Sequence, residues 1–125
     1  MNEIPAVVSD YISAYNDLDV AGMIRCLSDD VHFVNKSGDD ISAETQGVAA
    51  FRELALQGVA IFTQRKQTIT NAIACGGHVT LEIDYSATVA GDLPNGWKAG
   101  QTIAIRGVSV FSLKGGKIAE LVDIS

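Results

Sequence analysis

The order of hydrophobic periodicities predicts an α+β domain, with N-terminal helices packed on one face of a curved, mostly antiparallel sheet. In the first half of the chain apolar residues recur at helical spacing, and in the second half they alternate with period two. Two diglycines, Gly76-Gly77 and Gly115-Gly116, fall between alternating segments and read as hairpin turns. No helix follows either pair, so neither reads as a phosphate loop.

The elements follow in order. Ile4, Val7, Val8, Tyr11, Ala14, Tyr15 and Leu18 form the stripe of a first helix. Asn2 is placed to cap it, with Pro5 in its first turn. "NDLD" breaks the pattern, and Asp19 caps a short second helix carrying Val20, Met23, Ile24 and Leu27. "SDD" ends that helix, Asp29 and Asp30 solvating a turn. "VHFVN" follows as a short strand and "KSGDD" as a loop. A third helix from about Gln46 presents Phe51, Leu54, Ala55, Val59 and Phe62 on one side. The remainder reads as strand: "KQTITNAIAC" pairs with "HVTLEIDYSATVA", and "QTIAIRGVSVFSL" with "KIAELVDIS". The loop "GDLPNGWKAG" between the hairpins carries Trp97, the only tryptophan.

Alternation assigns the faces. From 79 to 89, Val79, Leu81, Ile83, Tyr85, Ala87 and Val89 share the buried face, with Thr80, Glu82, Asp84, Ser86 and Thr88 opposite. In "TIAIRGVSVF" both faces are apolar. Ile103, Ile105 and Phe111 face the helices, while Ala104, Val108 and Val110 need a second cover. A homodimer packed through the sheet face supplies it. In the last strand, Ala119, Leu121, Asp123 and Ser125 share one face, and Ile118, Glu120, Val122 and Ile124 the other.

At 125 residues the chain has the size of a single domain spanning 1–125. A net charge of −6 and a pI near 4.6 argue against nucleic acid and anionic membrane surfaces as partners. No apolar run has the length of a membrane span and the first residues do not read as a signal peptide, so the expectation is a cytoplasmic protein. Cys26 and Cys75 lie in apolar contexts and read as two buried thiols. His32 and His78 lack metal-ligand spacing, and His32 falls on the surface side of its strand.

The segment "YISAYNDLDVAGMIRCLSDDVHFV" resembles the opening of the nuclear transport factor 2-like superfamily. "IRGVSVFSLKGGKIAELVD" resembles the closing hairpin of its SnoaL-like branch, which includes polyketide cyclases and has ketosteroid isomerases and limonene epoxide hydrolases as relatives. The resemblance implies a cone-shaped fold with an apolar pocket between the helices and the concave sheet face. It also implies that Asp123, on the last strand, acts as the base of a cofactor-free reaction next to a carbonyl, facing inward with Leu121. Tyr11 matches the catalytic tyrosine of the isomerases. Ser109 stands where the cyclases place a histidine and the isomerases their second acid, and Asn35 where the isomerases have a basic aspartate. No arginine flanked by two aspartates is recognisable, Arg106 lying on the outward face.

Each candidate has a second reading. Asp123 in an apolar cavity has the raised pKa of a usable base, whereas at a solvated edge it is an ordinary carboxylate. Tyr11 can donate to an enolate or serve as a core tyrosine. Asn35 can orient a substrate or only close a loop. Trp97 can lid the pocket or pack on a dimer partner. Tyr15, Asn35, Phe51, Trp97, Ser109 and Leu121 make up the expected ligand contacts. The expected ligand is a small hydrophobic carbonyl compound, turned over without cofactor or metal by a cyclase or isomerase. The alternative is a non-catalytic ligand-binding or protein-association domain of the same fold.

Overall fold

The structure, a computed structural model, describes residues 4–125. The proposed Asn2 cap lies outside them. Three helices, α1 (Ala6–Asn16), α2 (Val20–Arg25) and α3 (Val48–Ile61), pack on one face of a six-stranded sheet. The strands are β1 (Leu27–Ser37), β2 (Asp40–Gln46), β3 (Phe62–Cys75), β4 (His78–Val89), β5 (Thr102–Lys114) and β6 (Lys117–Ile124), in the spatial order β2-β1-β6-β5-β4-β3. Every neighbouring pair is antiparallel except β1 with β6, which is parallel. The predicted α+β architecture is therefore observed, as a mixed sheet with one parallel junction.

The principal core lies between the helices and the centre of the sheet. Val8, Val31, Val79, Leu81, Phe111, Ile118 and Leu121 are all fully buried there. The alternation of β4 holds: Val79, Leu81, Ile83, Ala87 and Val89 are buried, and Glu82, Asp84 and Ser86 are exposed.

Four expectations are corrected. β1 starts at Leu27 and absorbs "SDD", so Asp29 and Asp30 lie in a strand. β2 occupies much of the stretch read as loop and helix start, and α3 begins only at Val48. β2 is an edge strand with an almost wholly exposed pattern, so it pairs through its backbone and leaves no apolar alternation to read. Phe62 opens β3 rather than closing α3. Cys26 is buried as expected, but Cys75 is exposed at the end of β3.

A register shift corrects the start of β6. Ser112 faces Glu120 while Leu113 faces Ile118, so Ala119 is the extra residue of a bulge. Ile118 thus points into the core, against its expected outward position, and parity resumes as predicted at Leu121 and Asp123.

The C-terminal end of α1 is fastened to β3. Leu18 adopts a left-handed φ of 58°, and the Asp19 amide donates back to the Ala14 carbonyl at 2.9 Å, closing the helix. Asp19 then caps α2 as predicted, its Oδ1 accepting from the Gly22 amide at 3.0 Å. Asn16 clasps the β3 backbone: its Oδ1 accepts from the Gln67 amide at 2.7 Å and its Nδ2 donates to the Gln67 carbonyl at 3.2 Å. The buried Arg65 donates from Nε to the Tyr15 carbonyl at 2.8 Å and lays its guanidinium over the Tyr15 ring at 3.6 Å.

Gly107 of β5 lies against the end of β6. A Cβ added there would come within 2.8 Å of the Ile124 carbonyl oxygen, a backbone atom that cannot swing away. Gly107→Ala is expected to displace the end of β6 and lower the melting temperature by several degrees, corresponding to about 1–3 kcal/mol. Thermal unfolding followed by circular dichroism checks this.

Candidate functional site

A cavity of about 170 Å³ opens between the C-terminal end of α1 and the concave face of the sheet. Its lining comes from six elements: Tyr15 of α1, Asn35 of β1, Gln67 of β3, Ile83 and Tyr85 of β4, residues 105 and 107–109 of β5, and Asp123 and Ile124 of β6, with Ser125. Strand register explains the convergence. Asp123 faces Ser109 on one side and Asn35 on the other, while Gln67 faces Tyr85 and Tyr85 faces Ile105. Ser109 and Ile105 are four residues apart on β5, a backbone distance of roughly 13 Å. The cavity thus has two polar ends, with Ile83 and Gly107 between them.

At the first end, Ser109 donates from Oγ to Asp123 Oδ1 at 2.7 Å. Burial raises the Asp123 carboxyl from an ordinary value of 3.8 to about 6, and the Ser109 hydrogen bond opposes only part of that rise. Asn35 stands beside Asp123, its Nδ2 held by Ser42 Oγ at 2.7 Å while that hydroxyl donates back to the Asn35 carbonyl at 3.1 Å. The Asn35 amide nitrogen is therefore engaged, and its Oδ1 remains as an acceptor.

At the second end, Tyr15 donates its hydroxyl to that of Tyr85 at 3.2 Å, with the rings edge to face at 6.1 Å. One hydroxyl of the pair therefore keeps a proton to donate onward. Burial raises the Tyr85 phenol well above its usual range, aided by the charges of Tyr15 and Asp123, so it is a neutral donor at any physiological pH. Gln67 is buried, and its side-chain oxygen, sealed beneath the cavity wall, has no hydrogen-bond partner among the described residues.

Of the residues singled out in the sequence, Asp123, Ser109, Asn35 and Tyr15 meet at this cavity. Tyr11 does not line it. Its ring is buried edge-on to Phe111 at 6.0 Å, and burial, followed by the charge of Asp123, pushes its phenol well above the usual range. Phe51 packs edge-on to Phe33 at 5.4 Å, and Leu121 is fully buried in the same core. Trp97 lies over Phe62 at 6.3 Å, packed on a separate small cluster of Ala87, Val89 and Ile103. His32 stands on the surface against Glu44 at 2.6 Å.

Tyr85 and Gln67 were missed as site residues. Tyr85 was legible as inward-facing from its alternation, but nothing in the sequence opposes it to Gln67 on the neighbouring strand. The lining is also more polar than the expected apolar pocket, because Asp123, Ser109, Asn35 and two tyrosines contribute to it.

The helices-on-curved-sheet architecture with a cavity on the concave face defines a cone-like α+β class. Residues 8–121 match the family model described as a SnoaL-like domain, and the chain belongs to that family. Among solved structures, a Catenulispora acidiphila protein with a ketosteroid isomerase-like fold, crystallised with trimethylamine, is 21% identical with a TM-score of 0.80, over 97% of this chain and 85% of that one. A Xanthomonas campestris protein titled as a candidate polyketide cyclase is 20% identical with a TM-score of 0.80, over 95% and 87% of the two chains. TerC, co-crystallised with polyporic acid, is 17% identical with a TM-score of 0.74, over 94% and 87%. At such identities the likeness shows the fold alone. No curated protein matches the chain in sequence.

A carboxyl whose folded value, about 6, exceeds its ordinary 3.8 destabilises the fold in its ionised form. The sign is fixed by proton binding: between those values the folded state holds more protons, so stability falls as pH rises through that window. Asp123→Asn keeps the Ser109 contact and removes the charge. The variant is expected to be more stable than the wild type at pH 7 by roughly 2–3 kcal/mol, with the gap closing by about pH 4. Urea unfolding at the two pH values measures it.

Proposed function

We propose that the protein binds a small carbonyl compound in the concave cavity and moves a proton next to the carbonyl, without a cofactor. The observation that carries this reading is Asp123, a half-buried carboxyl raised to about 6 and held by Ser109 at one end of the cleft. A base is most effective when its pKa lies near the working pH. Asp123 removes the proton from the carbon beside the carbonyl and returns it to the product. The free hydroxyl proton of the Tyr15–Tyr85 pair is donated to the carbonyl oxygen as negative charge develops there. Ser109 cannot replace a histidine as proton shuttle, so a single carboxyl carries both transfers.

The volume bounds the ligand. A cavity of about 150 Å³ holds one benzene ring, so a cavity of about 170 Å³ suits one ring with a short side chain. Proteins of this fold have been crystallised with trimethylamine and, for TerC, with polyporic acid, which supports small-molecule binding. The rival reading, a ligand receptor without turnover, has the same cavity but no need of a titrating carboxyl.

Hydrogen–deuterium exchange at the methyl group of acetophenone, followed by proton NMR in D2O, separates the two. The wild type is expected to accelerate exchange, with kcat/KM rising with pH and levelling off above about 6 as Asp123 ionises. Asp123→Asn is expected to lose about 100-fold or more of that rate. Unchanged exchange in the variant assigns the base elsewhere.

We also propose a homodimer through the outer face of the sheet. Val108 lies beside Ile124 and Val110 beside Val122, forming a four-residue apolar block that no helix covers. Next to it is a depression of about 570 Å³ over Glu82, Asp84 and Arg106. Light scattering is expected to give about twice the 13.2 kDa chain mass for the wild type and one chain mass for Val110→Lys. A monomeric wild type at micromolar concentration sinks this proposal.

A further inference from the structure

Arg65 holds a buried charge that the proton-transfer reading does not use. The residue is 7% exposed, and none of the ion pairs among the described residues includes it. A buried cation without a counter-ion is costly, and polar contacts offset that cost only in part. Here Nε donates to the Tyr15 carbonyl at 2.8 Å and Nη2 to the Met23 sulfur at 3.7 Å. The guanidinium lies 3.6 Å from the centre of the Tyr15 ring. That ring is a partition between the cation and the cavity, because Tyr15 lines the cavity and Arg65 does not. The Tyr15 hydroxyl in turn meets that of Tyr85 at 3.2 Å. The charge of Arg65 reaches this pair, since it opposes the rise that burial imposes on the Tyr85 phenol. Of the other groups acting on that phenol, Tyr15 is itself neutral when protonated and Asp123 stands at the opposite end of the cavity.

We propose that Arg65 is a positioning residue that acts through Tyr15 and makes the tyrosine end of the cavity selective for an anionic oxygen, as in a carboxylate or an enolate of single-ring size. The inference rests on the ligand-binding reading of this cavity and narrows its ligand class. A cation over the face of a phenol draws density from the ring and strengthens its O–H as a donor. A negative oxygen accepting from the tyrosine pair supplies the counter-charge that the fold withholds, across a partition of low dielectric. A neutral carbonyl gains the hydrogen bond but little of the Coulomb attraction. Ionised Asp123 works against the anion, so the preference is fullest where that carboxyl is neutral or absent. An arginine that only clamps α1 to β3 has no bearing on the charge of the ligand.

The test compares benzoate with benzamide, ligands of matched size that differ in charge, by calorimetry at neutral pH. Asp123→Asn is the reference protein, because it lacks the opposing carboxylate. It is expected to bind benzoate about tenfold or more tighter than benzamide. Adding Arg65→Gln is expected to bring that ratio near one while benzamide still binds, which shows that the cavity survives. Adding Arg65→Lys instead, which keeps the charge, is expected to retain a preference for benzoate. Absence of the preference in the reference protein, its persistence with Arg65→Gln, or failure of both ligands to bind overturns the proposal. Loss of the preference with both substitutions assigns it to the geometry of the clamp rather than to charge, and overturns the proposal as well. Should Arg65→Gln fail to fold, the benzoate preference of the reference protein decides alone. Deuterium exchange in the wild type keeps the two readings apart. Exchange without the benzoate preference removes the Arg65 proposal alone, and the preference without exchange removes the proton-transfer reading alone.

Discussion

The clasp between the C-terminal end of α1 and β3 is the constraint on which the site depends. Asn16 engages both backbone groups of Gln67, and Arg65 engages the Tyr15 carbonyl and the face of the Tyr15 ring. A helix packed on a sheet by apolar contacts alone can slide by a fraction of a turn with little penalty. Two directional hydrogen bonds to one residue, and a third from its neighbour, remove that freedom. They fix Tyr15 over the concave face and hold a gap open beneath it, where hydrophobic collapse would otherwise close the core. Arg65 is buried without a carboxylate partner among the described ion pairs. Its charge is met instead by a helix C-terminal carbonyl, the Tyr15 ring and the Met23 sulfur at 3.7 Å.

The cavity is polarised by that arrangement. Asp123 is the group whose burial most alters its chemistry, because Ser109 is its only side-chain donor among the described residues and one neutral hydrogen bond does not offset the lost hydration. The phenols behave oppositely: burial keeps Tyr11 and Tyr85 neutral and so available as donors rather than bases. One wall thus supplies a base and another a donor, in a cleft of about 170 Å³. The same features make the site costly to the fold. A carboxyl raised by burial in a cavity wall is a poor choice for stability and a sensible one for a proton-transfer site.

Much of this was legible in the sequence, and the exceptions have physical causes. The alternation of 79–89 is read correctly because one face of β4 is core and the other solvent. The inward parity of Asp123 is read correctly because the bulge lies before it, at Ala119. Ile118, on the far side of that bulge, is misplaced for the same reason. β2 escapes notice because an exposed edge strand is held by its backbone and has no face to bury. Tyr11 stands on the buried stripe as expected, yet depth in the core and access to a cavity are different properties, and helical periodicity reports only the first. Gln67 and Tyr85 are 18 positions apart and meet through a register that contains a shift between Ile69 and Asn71. The resemblance supplied the fold and the aspartate but no reason to look at a glutamine on the third strand.

The central claim is that Asp123 is desolvated in the cavity and titrates near the working pH. Carbon-13 NMR titration of the side-chain carboxyls, with Asp123→Asn to assign the resonance, measures that directly. A midpoint close to 6 is the predicted result. A midpoint at or below about 4, the value of a solvated aspartate, would contradict the account by showing a fixed anion that has no use for the cavity's proton.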